Sequence, residues 1–242
     1  MKLIAHRGAS LERPENTLES LEYGSELGAY AVECDVRMTS DNRYVIFHDD
    51  DLKRIGKDDR RVDEVTLNEM KALVEANGRH LMTLEELFTY REKAFVLLHI
   101  KLRAPGDEFF RMLADSPVGF ICGTSSVRMT ATAAKFFAPE RILAFMEIGN
   151  SPDRDTILDS AKKYSEAGAG IIRLWEQWLT IVTPGDVKAL CPGAEVFIMS
   201  NRPESGMNGT DESLDELEKL GADGVLLNDI RLGTKHFKSP VR

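Results

Sequence analysis

Two histidines and two carboxylates lie where short apolar runs of the sequence end. His6, the pair Glu33 and Asp35, and His48 each close such a run, and runs of this length bounded by polar residues are typical of buried strands. Residues two apart on a strand share a face, so Glu33 and Asp35 point the same way. Because adjacent carboxylates repel unless a cation or a proton joins them, the pattern predicts a divalent-metal site flanked by acid–base histidines.

Each of these features also has a simpler explanation when it is taken alone. A histidine after a strand is commonly an ordinary hydrogen-bonded residue, and a Glu-X-Asp pair is commonly a solvated strand edge. The acidic run 49–51 suits a solvated loop equally well. The coincidence of all these groups at three strand ends favours a functional site.

Several short motifs occur along the first 101 residues: His6-Arg7-Gly8, Glu15-Asn16-Thr17, Glu33-X-Asp35, His48-Asp49, Leu52-Lys53-Arg54 and Lys101. Their order and spacing resemble those of the glycerophosphodiester phosphodiesterases. Near the end of the chain, the run 221–225 resembles a family segment that leads the last strand to an aspartate, here Asp229. The likeness is dense over residues 1–101 and thin between about 105 and 220.

The resemblance implies a (β/α)8 TIM-type barrel that hydrolyses glycerophosphodiesters. Substrates such as glycerophosphocholine or glycerophosphoethanolamine would give glycerol 3-phosphate and a free alcohol. The resemblance also implies that His6 and His48 are the acid–base pair, without saying which is acid and which is base. Lys101 would contact the phosphate, and one divalent ion, Mg²⁺ or Ca²⁺, would bind at Glu33 and Asp35.

His99 is the main departure from the family pattern, which has a glutamate ligand at this position. His99 and Lys101 are two apart, so both face the site, and an imidazole ligand beside Glu33 and Asp35 would favour Mn²⁺ or another softer metal. Alternatively, His99 hydrogen-bonds Glu33 or the phosphate, and the two carboxylates hold Mg²⁺ with water. The same departure motivates a rival function, a barrel that binds phosphodiesters without turnover. A phospholipase D-like phosphodiesterase on a related lipid substrate is a further alternative, because the resemblance implies a site design shared with such barrels.

Three residues near the first motif have two interpretations each. Arg7 suits a phosphate because of its planar fork, or else forms a salt bridge to a barrel carboxylate. Glu15 and Asn16 either support the site, as the resemblance implies, or simply begin the first helix.

Late strand ends supply further candidates for substrate binding. Trp175 lies close in sequence to Trp178, and with Phe145 these rings would cage a quaternary ammonium or serve only as packing. Asn201, beside Arg202, is a candidate for binding glycerol hydroxyls.

The alternation of apolar runs and amphipathic segments predicts a parallel sheet closed into a barrel. The predicted strands are Lys2–His6, Tyr30–Asp35, Tyr44–His48, Phe95–Ile100, Val118–Cys122, Ile142–Met146, Gly170–Trp175, Ala194–Met199 and Gly224–Asn228. Predicted helices include one opening at Pro14, one over 155–167 and one over 211–220. Nine strands exceed the eight places of the barrel, so one should lie outside it. The link 35–48 is too short for a crossover helix, which makes the barrel irregular between its second and third strands.

Composition and length limit the remaining possibilities. The 242 residues suggest a single barrel domain, 1–242, with an insertion at about 55–81. A net charge of −9 argues against a nucleic-acid partner, and no apolar stretch approaches the roughly 20 residues of a membrane helix, which argues against stable membrane association. The first motif follows Met1 too closely for a secretory signal, and three scattered cysteines suggest neither disulfides nor zinc. We therefore expect a cytoplasmic protein acting on a small phosphodiester, in an oligomeric state that the sequence does not indicate.

Overall fold

The computed structural model describes residues 1–149 and 151–237. In this part of the chain it contains nine strands, which coincide with the nine predicted ones to within a few residues. They are β1 Lys2–Ala5, β2 Ala31–Met38, β3 Tyr44–Ile46, β4 Phe95–Ile100, β5 Phe120–Thr124, β6 Ile142–Phe145, β7 Ile171–Trp175, β8 Glu195–Met199 and β9 Gly224–Leu227.

Eight of the strands form a closed parallel barrel. The ring runs β1-β2-β4-β5-β6-β7-β8-β9 and closes by pairing β9 with β1. Helices connect most neighbouring strands, as parallel pairing requires. The predicted (β/α)8 TIM-type barrel is therefore confirmed.

The ninth strand, β3, lies outside the ring. It runs antiparallel to the far end of β2, with Val36 opposite Ile46 and Met38 opposite Tyr44. An antiparallel partner can follow through a short turn, whereas a parallel one needs a crossover. The chain therefore folds back between Asp35 and His48 without a helix, and the predicted irregularity after the second barrel strand is confirmed.

The described residues form nine helices, which pack mainly around the outside of the barrel. They are α1 Leu18–Glu26, α2 Leu67–Ala76, α3 Leu84–Leu87, α4 Asp107–Ala114, α5 Val127–Ala133, α6 Arg154–Glu166, α7 Pro184–Leu190, α8 Asp211–Lys219 and α9 Ile230–Phe237. The predictions over 155–167 and 211–220 agree with α6 and α8 to within a residue or so.

The predicted start of the first helix at Pro14 is wrong. The helix begins at Leu18, because the Thr17 side chain accepts a hydrogen bond from the backbone N–H of Ser20 and caps the first turn. Asn16 has a positive φ of 59°, which no helix residue adopts. Glu15 and Asn16 therefore belong to the loop before the helix.

Side chains inside the barrel follow the two-residue period of the strands. Apolar residues fill its lower and middle parts, including Ile4, Leu97, Ile171 and Phe197. At the carboxyl ends, the same inward-facing positions carry polar groups. Strand alternation thus brings the predicted site residues into one space above a packed apolar floor.

The predicted insertion, 55–81, contains a short 3-10 helix, Val62–Glu64, and α2. Its apolar side chains form a cluster with residues of β3 and the loop after it: Val45, Phe47, Leu52, Val62, Val65, Leu67, Met70, Val74 and Leu81. This cluster lies beside the barrel mouth, since Arg61 of the same segment lines the central cavity. The division of the chain into one domain with this insertion stays a prediction. Among the described residues, no helix is both long and apolar enough to cross a membrane.

Candidate active site

A cavity of about 810 Å³ opens at the carboxyl ends of the barrel strands. It brings together most of the residues singled out from the sequence. Those that line it are His6, Arg7, Glu33, Asp35, His48, His99, Lys101 and Trp175. Glu15 and Asn16 lie behind this lining, and Asn201 does not belong to it.

Asp35 lies at the centre of the hydrogen-bonding network and is only 1% exposed. Its Oδ1 lies 3.0 Å from Lys101 Nζ and 3.2 Å from His99 Nδ1. Asn16 holds the other side of the residue: its Nδ2 donates to Asp35 Oδ2 at 3.2 Å, and its Oδ1 accepts from the Asp35 backbone N–H at 3.1 Å. This arrangement agrees with the supporting role predicted for Asn16.

Glu33 has far fewer partners than Asp35, although it is equally buried. Its Oε2 accepts a 2.9 Å hydrogen bond from the backbone N–H of Arg7 and lies 3.9 Å from His6 Nε2. Burial and the neighbouring charge of Asp35 raise the pKa of Glu33 well above its usual value. A further positive charge nearby would favour the ionised form of Glu33.

Burial also acts on Asp35 and pulls its pKa upward, but other groups outweigh it. The hydrogen bond from His99 and the charge of Lys101 bring the pKa of Asp35 well below its usual value. The surroundings therefore shift the pKa values of Glu33 and Asp35 in opposite directions.

Glu33, Asp35 and His99 fit the requirements of a divalent-metal site. Each offers one ligand atom, and these atoms all lie within 4.8 Å of one another. Two carboxylate oxygens and one imidazole nitrogen suit Mn²⁺ or Zn²⁺ better than Mg²⁺ or Ca²⁺, which prefer oxygen ligands alone. Ser125 lies behind the imidazole, its Oγ 3.4 Å from His99 Nε2, and can orient the ring.

The orientation of His6 is fixed by two asparagines. His6 Nδ1 lies 2.8 Å from Asn228 Oδ1, and Asn228 Nδ2 donates to Asn208 Oδ1 at 3.2 Å. Because an amide oxygen only accepts, Nδ1 carries the proton, and Nε2 faces Glu33 with a free lone pair. Burial lowers the pKa of His6 to about 4, so the ring is neutral at physiological pH.

A continuous chain of charges connects His48 to Arg7. His48 Nδ1 lies 2.7 Å from Asp49 Oδ1, and Arg54 Nε donates to Asp49 Oδ2 at 2.7 Å. Arg54 also pairs with Glu15, which in turn lies 3.3 Å from Arg7 Nη1. Glu15 therefore holds two arginines in place, which agrees with the supporting role predicted for it.

The turn after β1 needs an unusual backbone conformation to place these groups. Arg7 has a φ of 57° and Gly8 a φ of 78°. A side chain at Gly8 would approach the backbone carbon of Ser20 to 2.6 Å, so only glycine fits. Ser20 Oγ donates to the Arg7 carbonyl at 3.1 Å and fixes the turn from the helix side.

The opposite wall of the cavity is largely aromatic. The rings of His99 and Phe145 stack with centroids 3.9 Å apart. The guanidinium of Arg173 lies 5.1 Å from the Phe145 ring and 4.4 Å from the Trp175 ring. Trp178 is 2% exposed and lies 6.0 Å from the same guanidinium. The predicted aromatic cluster exists, but a cation of the protein already lies against it.

Asn201 is absent from the cavity lining, and its backbone is bound by a buried carboxylate. Glu176 Oε2 accepts from the Asn201 backbone N–H at 3.0 Å and from Ser200 Oγ at 3.1 Å, and its other oxygen pairs with Arg202 at 2.5 Å. The contact of Asn201 with glycerol hydroxyls stays a prediction without support from this geometry.

Three residues of the site were not assigned a role from the sequence. Asn228 binds the ring of His6. The family pattern points instead to the next residue, Asp229, which accepts a hydrogen bond from the Leu232 N–H and caps α9. Arg54 belongs to the motif Leu52-Lys53-Arg54, for which the sequence alone indicates no function. Arg173 is two residues before Trp175, so strand alternation alone would have placed both on the inner face.

The fold and the site define a TIM-type barrel with a cationic cavity and a buried carboxylate pair at its mouth. Residues 6–115 match the Glycerophosphoryl diester phosphodiesterase family. The matched stretch is a little under half of the chain and contains most of the candidate site residues.

Curated relatives are similar in sequence to part of the chain, and solved structures share its fold. A glycerophosphodiester phosphodiesterase of Caldanaerobacter subterraneus is 33% identical over 109 residues, which cover 42% of this chain and 45% of that protein. The matched part therefore spans less than half the length of this curated relative. Barrels of the same fold include a glycerophosphodiester phosphodiesterase from Thermotoga maritima, with a TM-score of 0.73, 22% identity and 96% of each chain covered. An Oleispira antarctica phosphodiesterase in complex with the product sn-glycerol-3-phosphate has a TM-score of 0.71 at 22% identity, covering 99% of this chain and 97% of its own.

Proposed function

We propose that this protein is a metal-dependent phosphodiesterase that hydrolyses glycerophosphodiesters to glycerol 3-phosphate and an alcohol. One observation carries the proposal: two histidines flank a candidate metal site in the same cavity as a lysine suited to phosphate. The family match and a structural relative that binds sn-glycerol-3-phosphate support this substrate class. Substrates of this kind are small molecules, so we propose neither a nucleic-acid nor a membrane partner, and we propose the cytoplasm as its location.

The phosphate is proposed to bind between the carboxylate pair and the cationic groups near it. Lys101 Nζ, 3.0 Å from the His48 carbonyl and 3.0 Å from Asp35, is held in place before substrate arrives. Arg7 is held likewise by Glu15 and presents its guanidinium to the cavity. Fixed cations of this kind stabilise charge that develops on the phosphoryl oxygens in the transition state.

A divalent ion held by Glu33, Asp35 and His99 would neutralise the phosphoryl oxygens and lower the pKa of a nucleophilic water. The site favours Mn²⁺ over Mg²⁺ as the physiological ion. Lys101 Nζ and His99 Nδ1 both lie close to Asp35 Oδ1, at 3.0 Å and 3.2 Å.

His6 is proposed as the proton acceptor and His48 as the proton donor. The lone pair of His6 Nε2 faces the cavity, because Nδ1 donates to Asn228. His48 has a carboxylate partner, Asp49, at 2.7 Å, which stabilises the imidazolium form that a donor needs. Burial lowers the pKa of His48, whereas the hydrogen bond to Asp49 acts in the opposite direction.

Activity assays with defined metals test the proposal directly. The purified chain, incubated with Mg²⁺, Mn²⁺ or Ca²⁺, should release glycerol 3-phosphate from glycerophosphocholine or glycerophosphoethanolamine, and a chelator should stop the release. His6→Ala is the matched control for contaminating activity. Saturable, metal-independent binding with no product after long incubation would instead identify a binding protein, and product release from intact lipids alone would point to a phospholipase D-like activity.

A further inference from the structure

Arg173 is the buried charged group of the cavity that the proposed mechanism does not use. It lies in the middle of β7, paired in register with Phe145 on one side and Phe197 on the other. The residue is 4% exposed and lines the cavity. Its Nε and Nη1 atoms are buried and make no hydrogen bond within the described residues.

The surroundings of Arg173 stabilise a cation without satisfying its N–H groups. The rings of Phe145 and Trp175 attract the guanidinium electrostatically but accept no conventional hydrogen bond. Among the described residues, no carboxylate lies within ion-pair distance; the carboxylate that acts on Arg173 most is Glu147, an exposed residue at the cavity rim. A buried guanidinium with unpaired donors is costly, so an oxyanion ligand would be strongly favoured here.

The other cations of the cavity have a partner in the protein or are exposed. Arg7 Nε is also buried without a hydrogen bond, but it lies 4.0 Å from Asp35 Oδ2. Arg7, Arg37, Arg61 and Lys101 each contact an acceptor of the protein, and Arg103 is exposed to water. Six cationic side chains and four carboxylates line the cavity, although the whole chain carries a net charge of −9. The cavity therefore suits an anionic molecule even before a metal ion adds positive charge.

The strand that carries Arg173 lies opposite the strand that carries the carboxylate pair. Around the ring of eight strands, β7 is four places from β2 in either direction, so Arg173 lies across the barrel from Glu33 and Asp35. Burial lowers the pKa of Arg173 to about 9, which leaves it charged at neutral pH. A diester that fills the cavity would place one of its two alcohol halves against this wall.

We propose that Arg173 binds an oxyanion, a carboxylate or a phosphate, on the alcohol half of the substrate, so that the enzyme prefers anionic over zwitterionic glycerophosphodiesters. The inference rests on the proposed phosphodiesterase function and narrows its substrate class. A guanidinium fork binds either oxyanion through two parallel hydrogen bonds.

Glycerophosphoserine and glycerophosphoethanolamine test the proposal, because their alcohols differ only in a carboxylate. We expect kcat/KM to be about 10- to 100-fold higher for glycerophosphoserine, the usual range for hydrogen bonds to a charged group. Arg173→Met should bring this ratio close to one, and Arg173→Lys should retain part of it. Glu147→Gln, which removes a competing carboxylate from the rim, should raise the ratio. A second pair, glycerophosphoglycerol with and without a terminal phosphate, shows whether the preferred oxyanion is a carboxylate or a phosphate.

Several outcomes would overturn the proposal. If the Arg173 variants lose equal kcat/KM on both diesters of each pair, Arg173 acts on the scissile phosphate or on folding. Urea unfolding of Arg173→Met and Arg173→Lys distinguishes these two explanations. A kcat/KM ratio near one between the two diesters of each pair in the unmodified enzyme would also contradict the proposal. If no diester is turned over with any metal, the proposed function fails instead. Calorimetric binding of the same diesters to the unmodified chain and to Arg173→Met then decides the anion preference separately.

Discussion

The two walls of the cavity differ in how completely their polar groups are paired. On the wall formed by β1, β2 and β4, the predicted catalytic groups have positioning partners, from Asn228 behind His6 to Asn16 behind Asp35. On the wall formed by β6 and β7, aromatic rings surround a guanidinium with buried, unbonded nitrogens. Hydrogen bonds within the protein therefore position His6 and Asp35 on the first wall, whereas two nitrogens of Arg173 on the second wall have no partner among the described residues.

This contrast indicates that the two walls have different roles, one in the reaction and one in substrate recognition. Chemistry on a phosphodiester needs preorganised charges, which cost no reorganisation at the moment of reaction. A site that recognises the rest of the substrate can instead have hydrogen-bond donors that stay unpaired until a substrate with the matching acceptor binds. The family match, residues 6–115, covers the first wall and ends before β6 and β7. We infer that the first wall supplies the shared reaction and the second the individual specificity.

The largest effects are expected at the two histidines of the first wall. His6→Ala and His48→Ala should each lower kcat by about 10²–10⁴-fold, the usual contribution of a general acid or base. Metal affinity should change little, because neither ring is a proposed ligand. Steady-state kinetics and metal titrations check both statements, and near-normal turnover in either variant would make that histidine structural.

A substrate with a better leaving group separates the roles of the two histidines. A glycerophosphodiester of p-nitrophenol expels a stable anion that needs no proton. If His48 is the donor, His48→Ala should lose much less activity on this ester than on glycerophosphocholine, whereas His6→Ala should lose similar activity on both. The reverse pattern would exchange the two roles.

Asn16 should come next, because it positions a proposed metal ligand. Asn16→Gly removes both side-chain hydrogen bonds to Asp35 but keeps a residue that tolerates the φ of 59°. Loss of such an outer partner should weaken metal binding by about 10- to 100-fold. Calorimetric titration with Mn²⁺ measures the effect, and Asn68→Ala on the exposed side of α2 is a control. Unchanged affinity would mean that Asp35 needs no support from Asn16.

His99 joins the two walls, and its replacement should change which metal binds. His99→Glu gives the site a third carboxylate, which favours Mg²⁺ and Ca²⁺ over softer ions. We expect the ratio of Mn²⁺ to Mg²⁺ affinity to fall by about tenfold, with activity retained. His80→Glu adds the same charge on the exposed surface as a control. If metal affinities and rates do not change in His99→Glu, His99 is not part of the metal site.

The sequence predicted the barrel well because buried strands are short apolar runs with clear boundaries. Even the exclusion of β3 followed from the length of the 35–48 link. The start of α1 was missed because Pro14 and Glu15 have the composition of a first helical turn. In the structure, the Asn16 N–H donates a hydrogen bond to the Arg7 carbonyl, outside the helix. The local sequence pattern does not indicate this contact between two loop residues.

The candidate site was predictable where a motif lies on one strand, and less so where partners come from distant segments. Glu33 with Asp35, and His99 with Lys101, follow from strand alternation. The contact of Asn228 with His6 spans 222 positions of the sequence and depends on closure of the ring between β9 and β1. Arg173 resembles an ordinary charged residue in sequence; only burial against aromatic rings makes it unusual.

The smallest effect is expected at Trp175, the residue that the sequence suggested as part of a choline cage. An open indole face that bound the ammonium of choline would contribute about 0.5–2 kcal/mol. The Arg173 guanidinium lies 4.4 Å from this ring, so a second cation would meet a like charge instead of a free face. Trp175→Leu should therefore change kcat/KM for glycerophosphocholine less than about threefold relative to glycerophosphoglycerol, whose alcohol is neutral. A choline-specific loss of about tenfold or more would show that the ring binds the ammonium, and would contradict an anion-binding second wall.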